Sequence, residues 1–178
     1  MRCLKSDFIP GSIFHIYNHV IDGFSLFEEN QDYHFFLLSI EKQLEKYPAS
    51  IIAYCLMPNH YHLLIKQVGE NKIYKTLNYA FISYAKYFNK KHNRKGPIFR
   101  SPLQHKEITD AKYLKQICKY IHLNPVYADL VEKPEQWDYS NYLEWINKRN
   151  NTFYYSEIKN KYFGSTENYI AYIESNKI

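Results

Sequence analysis

His60 and His62 are two imidazoles one residue apart, in the run Met57-Pro58-Asn59-His60-Tyr61-His62-Leu63-Leu64-Ile65. The segment from His60 onward is rich in β-formers and follows the turn signal Pro58-Asn59, which predicts a strand over residues 60–67. Alternate side chains of a strand share a face. His60 and His62 therefore point one way and Tyr61 the other. Two neutral imidazoles so placed can grip one divalent cation. The competing reading is a pair of ordinary histidines at the mouth of a buried strand.

A second stretch bears on that choice. On a helical wheel over residues 111–124, Leu114, Ile117, Cys118 and Ile121 form one apolar stripe, and Tyr113, Gln116, Tyr120 and Asn124 form the adjoining one. Tyr120 and Asn124 stand at i and i+4 and are stacked neighbours. His122 falls on the far side. Two imidazoles and an amide oxygen can hold a divalent ion and leave positions open for a phosphate oxygen, which the ion would polarise as a Lewis acid. A phenol is a weak nucleophile and gains from such a target. A covalent phosphotyrosine would conserve the phosphodiester energy and allow rejoining. The competing reading of Tyr120 is an amphipathic-helix tyrosine with its hydroxyl in solvent.

The elements that must position these residues follow from periodicity. Ser12 to Ile21 alternates, with Ile13, His15, Tyr17, His19 and Ile21 on one side, which predicts a first strand closed by Asp22-Gly23. Asn30 or Asp32 can cap a helix running to about Tyr47. A strand over 50–57 and the strand over 60–67 make a tight hairpin. Asn71 opens a long helix to about Lys91. A fourth strand is expected over 98–108, irregular because Pro102 lies inside it. Thr109-Asp110 caps a third helix that Pro125 should end. The order β-α-β-β-α-β followed by a helix predicts an α+β fold of the ferredoxin-like, RRM-like kind: an antiparallel sheet with helices on one face, then a helix carrying Tyr120 and a C-terminal extension. Residues 1–131 would form the catalytic domain. Residues 132–178 would be an extension packed back on it through Trp137, Tyr139 and Trp145, with one or two short helices beyond 147.

Composition narrows the partners. The net charge is +5 and 18% of residues are aromatic, a mixture suited to nucleic acid, since bases stack while phosphates are neutralised. Lys86, Lys90, Lys91, His92, Arg94 and Lys95 crowd the end of the long helix. Helix capping needs fewer cations than that, so a phosphate-binding patch is expected there. Cys3, Cys55 and Cys118 are widely spaced and odd in number, which fits neither a disulfide scaffold nor a zinc knuckle and suits a reducing cytoplasm. There is no leader-like segment and no apolar run long enough to span a bilayer.

Met57-Pro58-Asn59-His60-Tyr61-His62-Leu63-Leu64 and Tyr120-Ile121-His122-Leu123-Asn124-Pro125-Val126 resemble the two signatures of the IS200-like HUH single-tyrosine (Y1) transposases, and most of all the REP-associated tyrosine transposase branch. Phe88-Asn89-Lys90-Lys91, Gly96-Pro97-Ile98-Phe99-Arg100 and Trp137-Asp138-Tyr139-Ser140 are also similar to that family, so the resemblance covers about residues 12–145. It implies that His60 and His62 bind Mg²⁺ or Mn²⁺. It implies that Tyr120 attacks a single-stranded DNA phosphodiester near a hairpin, leaving a 5′-phosphotyrosine. Asn124 sits where insertion-sequence relatives place a Gln, which makes it the third-ligand candidate, with Gln116 as the fallback. Three positions depart from the family: His19 where many relatives of the branch carry Arg, Arg100-Ser101-Pro102-Leu103 where Gln-Gly-Arg-Phe is common, and Tyr127 in place of an Arg. Arg100 is then the candidate for the displaced basic contact.

Two other functions compete. A non-catalytic module binding structured RNA or single-stranded DNA would share the basic, aromatic surface. A metal-dependent hydrolase would use water in place of Tyr120. A monomer and a homodimer are both compatible with the sequence.

Overall fold

The computed structural model describes residues 9–21, 23–70, 73–150 and 156–175. Cys3, Asp22 and Asn71 lie outside the described residues. The strands are β1 (Ile13–His19), β2 (Ala49–Met57), β3 (His60–Gln67) and β4 (Gln104–Ile108). The helices are α1 (Asn30–Leu44), α2 (Ile73–Lys91), α3 (Ala111–Tyr127), α4 (Tyr142–Trp145), α5 (Ser156–Phe163) and α6 (Thr166–Glu174). The sheet order is β2-β3-β1-β4, antiparallel at every junction. This is the α+β, ferredoxin-like arrangement expected from the element order. Each helical crossover skips one strand, so β1 and β3 end up as central neighbours.

Period-2 alternation gives the sheet two apolar faces. Phe14 and Ile16 of β1 and Tyr61, Leu63 and Ile65 of β3 bury with Phe36 and Ile40 of α1 and with Leu77, Phe81, Tyr84 and Phe88 of α2. Leu64 of β3 and Ile52, Ala53, Cys55 and Met57 of β2 face the other way. They pack on Leu114, Ile117, Cys118 and Ile121 of α3 and on Trp145, Phe163, Tyr169 and Ile173. The extension after Val131 thus supplies a large part of the second core. A bulge between Ile51 and Ala53 turns both Ile52 and Ala53 toward that core. The Ile52 carbonyl accepts from Asn141 Nδ2 at 3.1 Å and from Trp145 Nε1 at 2.9 Å. The same segment covers the β2 edge, with Leu56 N–H donating to the Tyr139 carbonyl at 2.9 Å.

Local differences from the sequence expectation have simple causes. The N-cap of α1 is Glu29, while Asp32, one turn in, accepts from the backbone N–H of Glu28 and Glu29 at 2.9 and 3.2 Å. The fourth strand is only Gln104–Ile108. Pro102 has no N–H to offer a ladder, and upstream of it the described residues pair through an isolated bridge, Val20 to Phe99. Pro125 does not end α3, which continues to Tyr127. A proline in the last turn removes only one intrahelical bond, and the Ala128 N–H still reaches the Asn124 carbonyl at 3.0 Å. Among the described residues, no helix is long and apolar enough to cross a membrane.

Candidate active site

β1 and β3 run side by side with His19 opposite His60 and Tyr17 opposite His62. Their second-face side chains form one row of rings. His60 and His62 have centroids 5.0 Å apart, and His19 stacks on His60 at 4.8 Å. His15 stacks near His62 at 5.1 Å and places its Nε2 3.0 Å from His62 Nδ1. The turn carrying His60 is held from outside the hairpin: Val20 N–H donates to the Asn59 carbonyl at 3.0 Å and Leu26 N–H to the Pro58 carbonyl at 2.6 Å.

α3 lies across this row. Asp110 caps it, its carboxylate accepting from Tyr113 N–H at 2.7 Å. The apolar stripe seats the helix on β2 and β3 and turns the adjoining stripe toward the histidines. Asn124 Oδ1 comes within 3.1 Å of His60 Nε2. The Tyr120 ring meets His62 edge-on at 5.2 Å, and Tyr120 remains 37% exposed. Gln116 and Tyr113 line the same open groove of about 610 Å³, with His62, Lys106 and Tyr120. Of the two amides considered as a third ligand, Asn124 is in hydrogen-bond range of an imidazole, whereas Gln116 lines the groove. His122 is fully buried behind the helix, with Nδ1 facing the Tyr169 hydroxyl and Nε2 facing Asn141 Oδ1.

Burial, together with the neighbouring histidines, pulls the His62 imidazole down to about 2. Burial and then Lys106 lower His15 to about 4. Burial and then His19 lower His60, against a smaller raising effect from Asn124. All three rings are therefore neutral near pH 7, the form that can ligate a metal.

The donors also fit a cation by their unmet valences. A neutral His60 carries one N–H, yet both of its nitrogens face amide oxygens: Nδ1 faces Asn59 Oδ1 at 2.7 Å and Nε2 faces Asn124 Oδ1 at 3.1 Å. With the proton on Nδ1, two lone pairs confront each other across the 3.1 Å gap. Two adjacent ligands of an octahedral ion with bonds near 2.1 Å would stand about 3.0 Å apart. His62 Nε2 is buried and has no hydrogen-bond partner, and a buried polar atom left unpaired is costly. Among the described residues, no cluster of three or more His, Cys, Asp or Glu side chains is arranged to hold an ion. The Asn124 amide is what would complete the set.

The basic candidates lie at the end of α2 and in the loop after it. Lys90, Lys95 and Arg100 are exposed. The Arg100 N–H bonds the His19 carbonyl at 2.9 Å, beside the histidine row. Arg94 lies over the Phe24 ring at 4.1 Å. Lys91 is engaged internally, 2.7 Å from Glu29 and 2.9 Å from the fully buried Asp32 carboxylate. A small recess of about 160 Å³ between His19, Asn59, Phe24 and Arg100 adjoins the main groove at His19.

Sequence reasoning put His15 and His19 on one side of the first strand but gave them no role. The signal was that shared parity. What was missing was the knowledge that β1 would lie beside β3.

Comparisons with known proteins bear on the family and the fold. A Haemophilus influenzae protein assigned as a REP-associated tyrosine transposase is 29% identical over 118 residues, which is 60% of this chain. The chain spans 66% of that relative's length. The solved structure of a REP-associated tyrosine transposase bound to a REP hairpin superposes with a TM-score of 0.67 at 16% identity, covering 87% of this chain and 98% of that one; at that identity the likeness speaks to the fold. The family model described as "Transposase IS200 like" matches residues 12–124. That match takes in both histidines, Tyr120 and Asn124 and well over half of the sequence, and the chain belongs to the IS200-like transposase family.

Proposed function

We propose that this chain nicks and rejoins single-stranded DNA beside a hairpin. Tyr120 is the nucleophile, and Mg²⁺ or Mn²⁺ is held by His60, His62 and Asn124. The observation that carries this reading is the meeting of two distant segments: the Tyr120 ring lies against His62 while Asn124 reaches His60. The family membership and the hairpin-bound neighbour support a DNA substrate.

In this reading the open groove admits a single strand, and Lys90, Lys95 and Arg100 neutralise phosphates on its approach. A cation held by His60, His62 and Asn124 would polarise the scissile phosphoryl group. Tyr120, presented on a helix held against the sheet, lines that groove. A bond forms between Tyr120 Oη and phosphorus as the bond from phosphorus to the 3′ oxygen breaks. The phenol proton passes to water, and the departing 3′ oxygen takes a proton from water. A 3′-hydroxyl attacking the phosphotyrosine reverses the step and rejoins the strand. Because one ester replaces another, no external energy source is needed.

A 3′-labelled single-stranded hairpin oligonucleotide tests this. With Mg²⁺ or Mn²⁺ the label should migrate with the protein, be released by protease, and stay free in EDTA. A cleaved strand bearing a free 5′-phosphate and no adduct would assign the attack to water. Salt-sensitive binding indifferent to EDTA, with no cleavage, would leave a binding module.

A further inference from the structure

His15 Nε2 and His62 Nδ1 are 3.0 Å apart and both side chains are buried. One of the two nitrogens must carry the proton. If His15 donates, His62 bears its own proton on Nε2, a buried atom with no acceptor in reach. That orphans a donor, and a protonated nitrogen cannot ligate a metal. If His62 donates through Nδ1, His15 accepts, and the buried, unpartnered His62 Nε2 is left with a lone pair beside the His60 ring, whose centroid is 5.0 Å from that of His62. Ligating histidines usually donate their other N–H to an acceptor that fixes tautomer and ring orientation.

We infer that His15 is a positioning residue: it accepts the His62 Nδ1 proton and thereby holds His62 in the tautomer that offers Nε2 to a cation. This rests on the reading of His60, His62 and Asn124 as a metal site. Two further observations support it. His15 sits on β1, diagonal to His62 across the ladder, with its own partner Leu64 directly opposite. Its ring is also stacked on Tyr17 at 5.0 Å, which fixes the plane from which the acceptor faces His62. His60 obtains the equivalent constraint from Asn59, its neighbour in the turn.

The test is two-bond ¹H–¹⁵N correlation of the histidine rings in the full metal-free chain, followed by Mn²⁺ titration of the same samples. The wild-type spectrum should show His62 protonated at Nδ1. His15→Leu should move that proton toward Nε2 and weaken Mn²⁺ binding by about 10- to 100-fold, whereas His15→Gln, which can still accept, should restore most of the affinity. His62 protonated at Nε2 in the wild type would overturn the proposal, as would His15→Leu binding Mn²⁺ as tightly as wild type. Should His15→Leu fail to fold, the wild-type tautomer decides alone. Failure of the metal site itself shows separately, as Mn²⁺ affinity that His60→Ala leaves unchanged.

Discussion

His60 Nε2 and Asn124 Oδ1 stand 3.1 Å apart although they come from a central strand and from the last turn of α3. Asn124 is thus tied to the end of the strand pair while Tyr120, one turn back, faces the other histidine. Removing either partner should act on the cation before it acts on the fold. Asn124→Ala should raise the Mn²⁺ concentration needed for half-maximal adduct formation by about tenfold or more, since even outer partners of metal ligands are worth that much. His60→Ala should abolish adducts at any Mn²⁺ concentration. An unchanged Mn²⁺ dependence in Asn124→Ala would pass the third position to Gln116.

The ion cluster joining α1 to α2 predicts acid sensitivity. Burial would raise the Asp32 carboxyl, but Lys91, the backbone N–H groups of Glu28 and Glu29, and His92 outweigh it and hold it below the ordinary value. A group whose folded value is depressed contributes stability that is full above its unfolded value, near pH 4, and is lost as pH falls through the folded value. Thermal melts of the wild type should therefore fall steeply below about pH 4. Lys91→Ala, which leaves the Asp32 carboxylate short of its cation, should lower the melting temperature at pH 7. A Lys91→Ala melt equal to wild type would contradict this placement.

The exposed cations should behave differently from Lys91. Lys90→Ala and Lys95→Ala should leave the melting temperature unchanged, and these two and Arg100→Ala are the variants to titrate against salt. Each should lower the slope of log affinity for a single-stranded hairpin against log salt by about 0.7. A slope unaltered by all three would move the DNA path away from the end of α2.

Behind the tyrosine helix, the Tyr169 hydroxyl meets the buried His122 Nδ1, and Lys119 Nζ bonds the Tyr172 carbonyl at 2.8 Å. Tyr169→Phe removes one partner and leaves the other unmet, which should cost about 1–3 kcal/mol in denaturant unfolding. Retained full stability would mean that α6 does not brace α3.

The site was partly legible in the sequence because its two halves obey simple periods. A repeat of two put His60 and His62 on one face, and a repeat of 3.6 put Tyr120 and Asn124 on one stripe clear of the apolar Leu114, Ile117, Cys118 and Ile121. The parts that escaped depend on which elements become neighbours. His15 gains meaning only when β1 lies beside β3. Lys91 reads as one more cation on a basic helix end until Asp32 of α1 folds against it. The irregularity expected of the fourth strand and the early end expected of α3 both turn on a proline. Pro102 shortened its strand more than expected, and Pro125 fell where the helix had one bond left to lose. The extension after Val131 gave anchors such as Trp145, but its docking on β2 uses the Ile52 carbonyl at the bulge, which no local pattern announces.

Tyr120 is the proposed nucleophile, and its hydroxyl would then take the DNA phosphate. Mass spectrometry of protease-digested adduct, formed on a single-stranded hairpin oligonucleotide with Mn²⁺ and trimmed by nuclease, measures this directly. A nucleotide phosphate is expected on Tyr120 alone, and none in Tyr120→Phe protein that still binds the hairpin. The same modification on Tyr113 or Tyr127, or adduct surviving in Tyr120→Phe, would contradict it.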